Sequence, residues 1–160
     1  MIKSKIWIGI DPGKSGCLCC LFEDNSATFT DWPKSNSCHE IYPAIRLAIQ
    51  GHEVVKAGLE KVSAMPGQGV KSMFSFGENN GMWKMLLAVL RIPYYDPTPQ
   101  AWQKSIVRKS DHADPKQRAY LAAVRLYPDL IANLKGPQGG LKDGRVDALL
   151  IAHFIKGEGK

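Results

Sequence analysis

The sequence predicts a mixed α/β domain: an antiparallel three-strand meander followed by parallel strands, with helices flanking the sheet. Two observations carry that prediction. Short β-branched, aromatic and apolar stretches at 5–10, 16–22 and 27–30 are separated only by tight turns, so neighbouring strands must run antiparallel. Beyond them, helical and strand-like periods alternate, as crossover connections between parallel strands require.

The first strand alternates around Ile6, Ile8 and Ile10 and ends at the turn signal Asp11-Pro12-Gly13. Asp24-Asn25-Ser26 joins the second and third strands. A helix is expected over about 39–50, with Ile41, Ile45, Leu47 and Ile49 as its apolar positions and Gly51 as its stop. The strand at 54–59 then sets Glu60 at its C-terminal end. Residues 63–69, with Pro66, Gly67 and Gly69, read as a loop.

From 70 to 90 the pattern is helical through Phe74, Met82, Met85, Leu86, Val89 and Leu90, with Gly77 and Gly81 allowing an early break. A short strand at 92–95 precedes Thr98-Pro99, an N-cap followed by a proline at the first helical position. Asp114-Pro115 repeats that start signal for a helix to about Leu126, with Pro128 beyond it. The stretch 135–140 contains Gly136, Pro137, Gly139 and Gly140 and is the most flexible interior segment expected. A last helix begins near Asp143 and turns Val146, Leu149, Leu150, Ala152 and Phe154 inward. No repeat or linker marks a boundary, so residues 1–160 read as one domain, large enough to bury a core.

With 44% apolar and 22% charged residues, the composition is that of a globular protein and excludes a disordered chain. The charge is uneven. Residues 1–100 carry ten basic and nine acidic side chains, whereas residues 101–160 carry eleven and six. A cationic segment binds polyanions by counterion release, which makes nucleic acid the first partner to consider. No secretory signal or membrane span is expected, and the location implied is cytoplasmic. Cys17, Cys19, Cys20 and Cys38 lack zinc-site spacing and read as reduced thiols, the first three within a strand.

Four carboxylates fall at element ends. Asp11 ends the first strand, Glu60 ends the fourth, and Asp143 and Asp147 share one face at the start of the last helix. If the first and fourth strands are neighbours, the four converge. Like charges that close raise each other's pKa, and a hard divalent cation relieves the repulsion. Two Mg²⁺ ions, with Mn²⁺ able to substitute, are the expected cofactors, and such pairs cleave phosphodiesters. Each residue also has a simpler reading: Asp11 as turn chemistry, Asp143 as an N-cap, Glu60 as a lysine's partner.

At this point the residues resemble a family. The run from Ile8 through Asp11-Pro12-Gly13 to Gly16 resembles the opening of RuvC-type Holliday junction resolvases, members of the ribonuclease H-like superfamily. Leu59-Glu60-Lys61-Val62 and Arg145-Val146-Asp147-Ala148-Leu149-Leu150-Ile151-Ala152 resemble that family's later acidic motifs, in the same order. The resemblance implies a ribonuclease H-like fold, a homodimer, Mg²⁺ or Mn²⁺, and paired symmetric nicks in four-way junctions or other branched DNA. It maps Asp11, Glu60 and Asp147 as metal ligands. The family's further ligand stands three residues before the last aspartate, where this chain has Gly144, so Asp143 is taken as the fourth ligand. The divergent loop and Gly144 suggest a phage or mobile-element relative. By position Phe74 or Phe76, beside Lys71, is the aromatic that would wedge the junction, although helical spacing equally allows either to be core.

Lys116 and Arg118 flank a helix start and are candidates for phosphate contact, as are Lys104, Arg108, Lys109, Lys142 and Arg145. Trp102, next to Lys104, is the tryptophan to weigh for base stacking against packing. His112 and His153 have no identifiable catalytic partner. Rival readings are a nuclease of the same fold acting on other branched DNA or RNA, an actin-like or sugar-kinase-like ATP-binding protein, and a non-catalytic DNA-binding module. The ATP-binding fold needs a far longer chain and a second glycine-rich segment. The binding module has no use for clustered negative charge facing phosphate.

Overall fold

β1 (Lys5–Asp11) is the axis of the molecule: β2 (Cys17–Phe22) pairs antiparallel on one side of it and β4 (Glu53–Leu59) parallel on the other. β3 (Ala27–Asp31) joins β2 antiparallel, and the two-residue β5 (Tyr94–Tyr95) joins β4 in parallel, giving the order β3-β2-β1-β4-β5. The computed structural model describes residues 4–63, 67 and 69–157. Of the expected loop at 63–69, positions 64–66 and 68, which include Pro66 and Gln68, therefore lie outside the described residues.

The period-two alternation of the strands divides the core in two. Ile6, Ile8 and Ile10, with Leu18 and Cys20, pack against α1 (Cys38–Ile49) and α2 (Val70–Val89). Cys17, Cys19 and Leu21 face the other way, onto α3 (Pro99–Ile106), α4 (Pro115–Leu126) and α5 (Asp143–Gly157). The three strand cysteines are fully buried, and burial pushes each thiol up, so they stay protonated. The expected caps form: Thr98 accepts from the Ala101 N–H at 3.2 Å, and Asp114 from the Lys116 N–H at 2.9 Å. Among the described residues no helix is long and apolar enough to cross a membrane.

Some elements differ from expectation. α2 runs unbroken through Gly77 and Gly81, because Trp83, Leu86 and Leu87 anchor it to the sheet. Leu47 is 74% exposed: the face defined by Ile41 and Ile45 recurs every three or four residues, and two steps past Ile45 falls off it. Phe154 is only half-buried, and Ala148, Ile151 and Ile155 complete the inner face of α5 instead. A 3-10 helix at Pro128–Leu134, unread in the sequence, buries Leu130 and Leu134. The segment expected to be most flexible is a closed turn, with the Gly136 N–H on the Gly140 carbonyl at 2.7 Å and a Lys135–Leu141 bridge.

One contact sets the position of α5. Gly9 and Gly58 are paired in register on β1 and β4. A Cβ on Gly9 would lie 2.0 Å from the Ala148 carbonyl oxygen and 2.4 Å from the Ala152 nitrogen, and one on Gly58 2.6 Å from Ile155 Cγ1. The helix rests on bare strand backbone. Gly9→Ala is expected to overpack this contact by about 1–3 kcal/mol or more, lowering Tm by roughly 5 °C or more in a circular-dichroism melt. An unchanged Tm would mean that α5 does not depend on that close approach.

Candidate active site

The Glu60 N–H donates to the Ile10 carbonyl at 3.0 Å, which carries the β1–β4 ladder one step past Leu59. Asp11 and Glu60 therefore stand side by side at the same sheet edge. Each lies two residues beyond a glycine that faces α5, and the strand period turns both carboxylates to the α5 side. α5 runs opposite to β1, from Gly144 beside Asp11 to Ala148 and Ala152 beside Gly9, so its first turn delivers Asp143 and Asp147 to the same edge.

Gly144 has a physical reason to be glycine. A Cβ there would sit 2.2 Å from the Ser15 carbonyl oxygen and 3.2 Å from Asp11 Oδ2. The β1–β2 turn fills the space a side chain would need, so the acidic group of that turn of α5 is Asp143. The turn also holds Asp11, whose Oδ1 accepts the Gly13 N–H at 2.9 Å.

All four carboxylates are half-buried. Burial raises Asp11 above the usual carboxylate range; the Gly13 N–H opposes this and the Asp143 charge adds to it. Burial also lifts Glu60 to about 7, against the Trp102 hydrogen bond and with help from Asp11. Asp147 is pushed well up by burial and then by Asp11, Glu60 and Asp143, with only Lys116 acting the other way. Asp11, Glu60 and Asp147 are thus each raised by burial and by the charge of a neighbouring carboxylate. Two of them are drawn to donors instead of to each other. Asp143 Oδ2 pairs with Lys116 Nζ, and Glu60 Oε1 accepts from Trp102 Nε1 at 3.0 Å. Among the described residues no three carboxylates, histidines or cysteines close into a metal-holding group as they stand.

Trp102 is fully buried, so its role is packing and holding Glu60, not base stacking. That bond joins residues far apart in sequence and has no sequence signature.

Cation-lined hollows extend on both sides. A cleft of about 120 Å³ carries Lys116, Asp143 and Asp147, and shares Gln103, Pro115 and Ala119 with a cavity of about 570 Å³. Lys104, Lys109 and Arg118 meet in that cavity, while Arg108 is exposed outside it. On the other flank, a hollow of about 360 Å³ holds Asp143 with Lys14, Lys34, Lys142 and Arg145. Lys14 also borders a 470 Å³ hollow with Lys71 and Phe76. Phe74 is 73% exposed on α2.

The structure gives two of the expected DNA contacts another task. Arg145 grips both oxygens of Asp31 at 2.7 and 2.9 Å and the Asn133 carbonyl at 2.8 Å, and Lys142 reaches Asp31 at 2.7 Å. Burial alone would raise Asp31, but the bonds and charges of Arg145 and Lys142 outweigh it and hold the carboxyl at about 2. The pair latches the end of β3 to the start of α5. His112 Nδ1 accepts the Asp114 N–H at 3.0 Å, and His153 Nδ1 lies 2.8 Å from Tyr127 Oη; neither lines the carboxylate cleft. Sequence reasoning missed Lys14, Lys34 and Gln103. Lys14, three residues after Asp11, was within reach of it.

A five-stranded mixed sheet with helices on both faces, crossed by a C-terminal helix that brings acidic residues to the strand ends, is the ribonuclease H-like fold anticipated from the sequence. Among solved structures the chain is similar to RuvC of Thermus thermophilus in complex with a Holliday junction substrate: TM-score 0.57 at 14% identity, over 99% of this chain and 97% of that one. A second Thermus thermophilus RuvC structure gives 0.55 at 14%, with 96% of each chain covered. At this identity the likeness establishes a RuvC-like fold. No protein-family profile matches the chain, and no curated protein does.

The raised carboxylates give a signed pH dependence. Between 4.5, the ordinary value for glutamate, and about 7, Glu60 keeps its proton in the native state but loses it on unfolding, so its contribution to stability falls as pH rises through that window. Asp11 and Asp147 act in the same direction. In EDTA, Asp147→Asn is expected to raise Tm more at pH 8 than at pH 5.5. Equal shifts at the two pH values would refute the buried-charge assignment.

Proposed function

We propose that this chain is a metal-dependent DNA endonuclease that resolves four-way junctions by paired symmetric nicks, acting as a homodimer. The observation that carries the reading is the convergence of Asp11, Glu60, Asp143 and Asp147 at one sheet edge, between two cation-lined flanks. Bare carboxylates would repel the backbone that the surrounding lysines attract, and divalent cations reconcile the two.

The chemistry of the donor set suits such ions, being all oxygen and mutually repelling, with Lys116 the one group that lowers Asp147; the side chains would have to close further to share an ion. Asp11, Glu60, Asp143 and Asp147 would hold Mg²⁺, or Mn²⁺ in its place, as a pair. When bound, the ions supply Lewis-acid charge at the scissile phosphate. Trp102 and Lys116 each fix one oxygen of a ligand and so orient Glu60 and Asp143. Lys104, Lys109 and Arg118 on one flank, and Lys14, Lys34, Lys71 and Phe76 on the other, would hold the strand, with Arg108 at the margin. Lys142 and Arg145 act at one remove, by pinning α5 through Asp31. The likeness to a RuvC solved on a Holliday junction supports the choice of branched DNA.

Symmetric cuts need two sites related by a twofold axis. The outward stripe of α2 suits a second copy: Val70, Phe74, Met85 and Val89 are exposed, with Gly77 and Gly81 between them. In an antiparallel pair about the middle of α2, Val70 meets Val89 and Phe74 meets Met85. Sedimentation should show a dimer that Phe74→Glu dissociates; a monomer before substitution would rule this face out.

The decisive assay offers a labelled four-way junction and a matched duplex to the protein with Mg²⁺, Mn²⁺ or EDTA. Symmetric, metal-dependent nicks in the junction alone, abolished by Asp11→Asn, are expected. Trp102→Phe should slow cutting by roughly 10- to 100-fold, as loss of a ligand-orienting bond does. Cutting of duplex or flaps at the same rate would remove the junction specificity. Junction binding with no cutting would leave a binding module.

A further inference from the structure

We infer that the cavity between α3 and α4 receives an unpaired nucleobase next to the scissile phosphate, and that Gln100 and Gln103 read its edge; the inference rests on the nuclease reading and extends it to sequence preference.

The cavity is built from the two sides of a short helix. The inner side of α3 carries Trp102 into the core and onto Glu60. Gln100, Gln103, Lys104 and Val107 follow at helical spacing on the opposite side and line the cavity. Across from them stand Arg118 and the apolar wall of Pro115 and Ala119. The far rim is set by the loop that bears Lys109, and that loop is pinned: Arg125 bonds Asp111 at 2.9 Å and the Ile106 carbonyl at 3.1 Å. The hollow is preformed, and its volume of about 570 Å³ lies within the ~300–1,000 Å³ of small-molecule sites.

Three features select the ligand. The side chains of Gln100, Gln103, Lys104, Lys109 and Arg118 have no hydrogen-bond or ion-pair partner among the described residues, unlike those of Lys116, Arg125, Lys142 and Arg145. A glutamine amide offers an acceptor beside a donor, which matches a base edge that presents a donor beside an acceptor. The apolar wall suits a ring face, and three rim cations suit the flanking phosphates. A site for phosphate alone would have no need of two uncharged amides and an apolar wall. Gln103, Pro115 and Ala119 also border the carboxylate cleft, so a base lodged here belongs to a nucleotide beside the one being cut. Taking a base out of its stack is least costly at an unpaired position, as at a junction centre.

The test has two independent readouts. In EDTA, 2-aminopurine placed in turn at each nucleotide near the branch point reports unstacking without cleavage. Fluorescence should rise at one position, and Gln100→Ala with Gln103→Ala should abolish the rise while junction affinity changes less than about threefold. With Mg²⁺, cleavage across junctions randomised at that position should show a preference on the order of tenfold, flattened by the same pair of substitutions. Cutting that slows equally for all sequences, or a preference that survives both substitutions, would overturn the pocket and leave the nuclease. A fluorescence rise without any cutting would keep the pocket and remove the nuclease. No rise at any position would overturn the pocket whatever the cleavage result.

Discussion

The rest of the structure depends on the contact of α5 with the backbone of β1 and β4. Gly9 and Gly58 are neighbours in register and present no side chains, so the helix lies directly on the strands, with the Ala148 carbonyl where a Cβ would be. That approach fixes the height, direction and rotation of α5. The position of Asp147 relative to Asp11 and Glu60 follows from it, since those two stand two residues after Gly9 and Gly58 and Asp147 stands directly before Ala148. Gly144 repeats the device one turn earlier, where the Ser15 carbonyl fills the side-chain space and leaves Asp143 as the acidic group at the mouth.

The same closeness stores electrostatic tension. Three carboxylates are raised first by burial and then by neighbouring carboxylates, Asp143 among them, and Glu60 reaches about 7. Tertiary packing tolerates this because single donors blunt it at three points: the Gly13 N–H on Asp11, Trp102 on Glu60, and Lys116 on Asp143. A half-buried group of carboxylates with raised pKa values is what the proposed cation site would relieve.

Positive charge is divided between two tasks. Arg125, Lys142 and Arg145 are committed to Asp111, Asp31 and backbone carbonyls, and hold a loop and a strand end to the helices. Lys104, Lys109 and Arg118 have no such partner and meet in a cavity beside the carboxylates. Net charge alone does not distinguish the two groups. Cations tied to carboxylates add less to the field felt by a polyanion than the sequence count suggests.

The sequence by itself determined the elements and the acidic positions. Period-two alternation in β1, the tight turns between the first three strands, the Thr98 and Asp114 caps, and carboxylates at strand and helix ends are local features, written within a few residues of where they act. Only the tertiary structure decided which distant groups meet. The Glu60–Trp102 bond spans 42 residues and the Arg145–Asp31 pair 114, and neither leaves a local trace. It also decided that Phe74 faces outward and that α2 crosses Gly77 and Gly81 unbroken, because packing against the sheet outweighs the roughly 1 kcal/mol that each glycine costs a helix. Local patterns encode what the backbone does next; the partners of a side chain depend on how whole elements stack, and here the stacking was set by two glycines that carry no side-chain chemistry of their own.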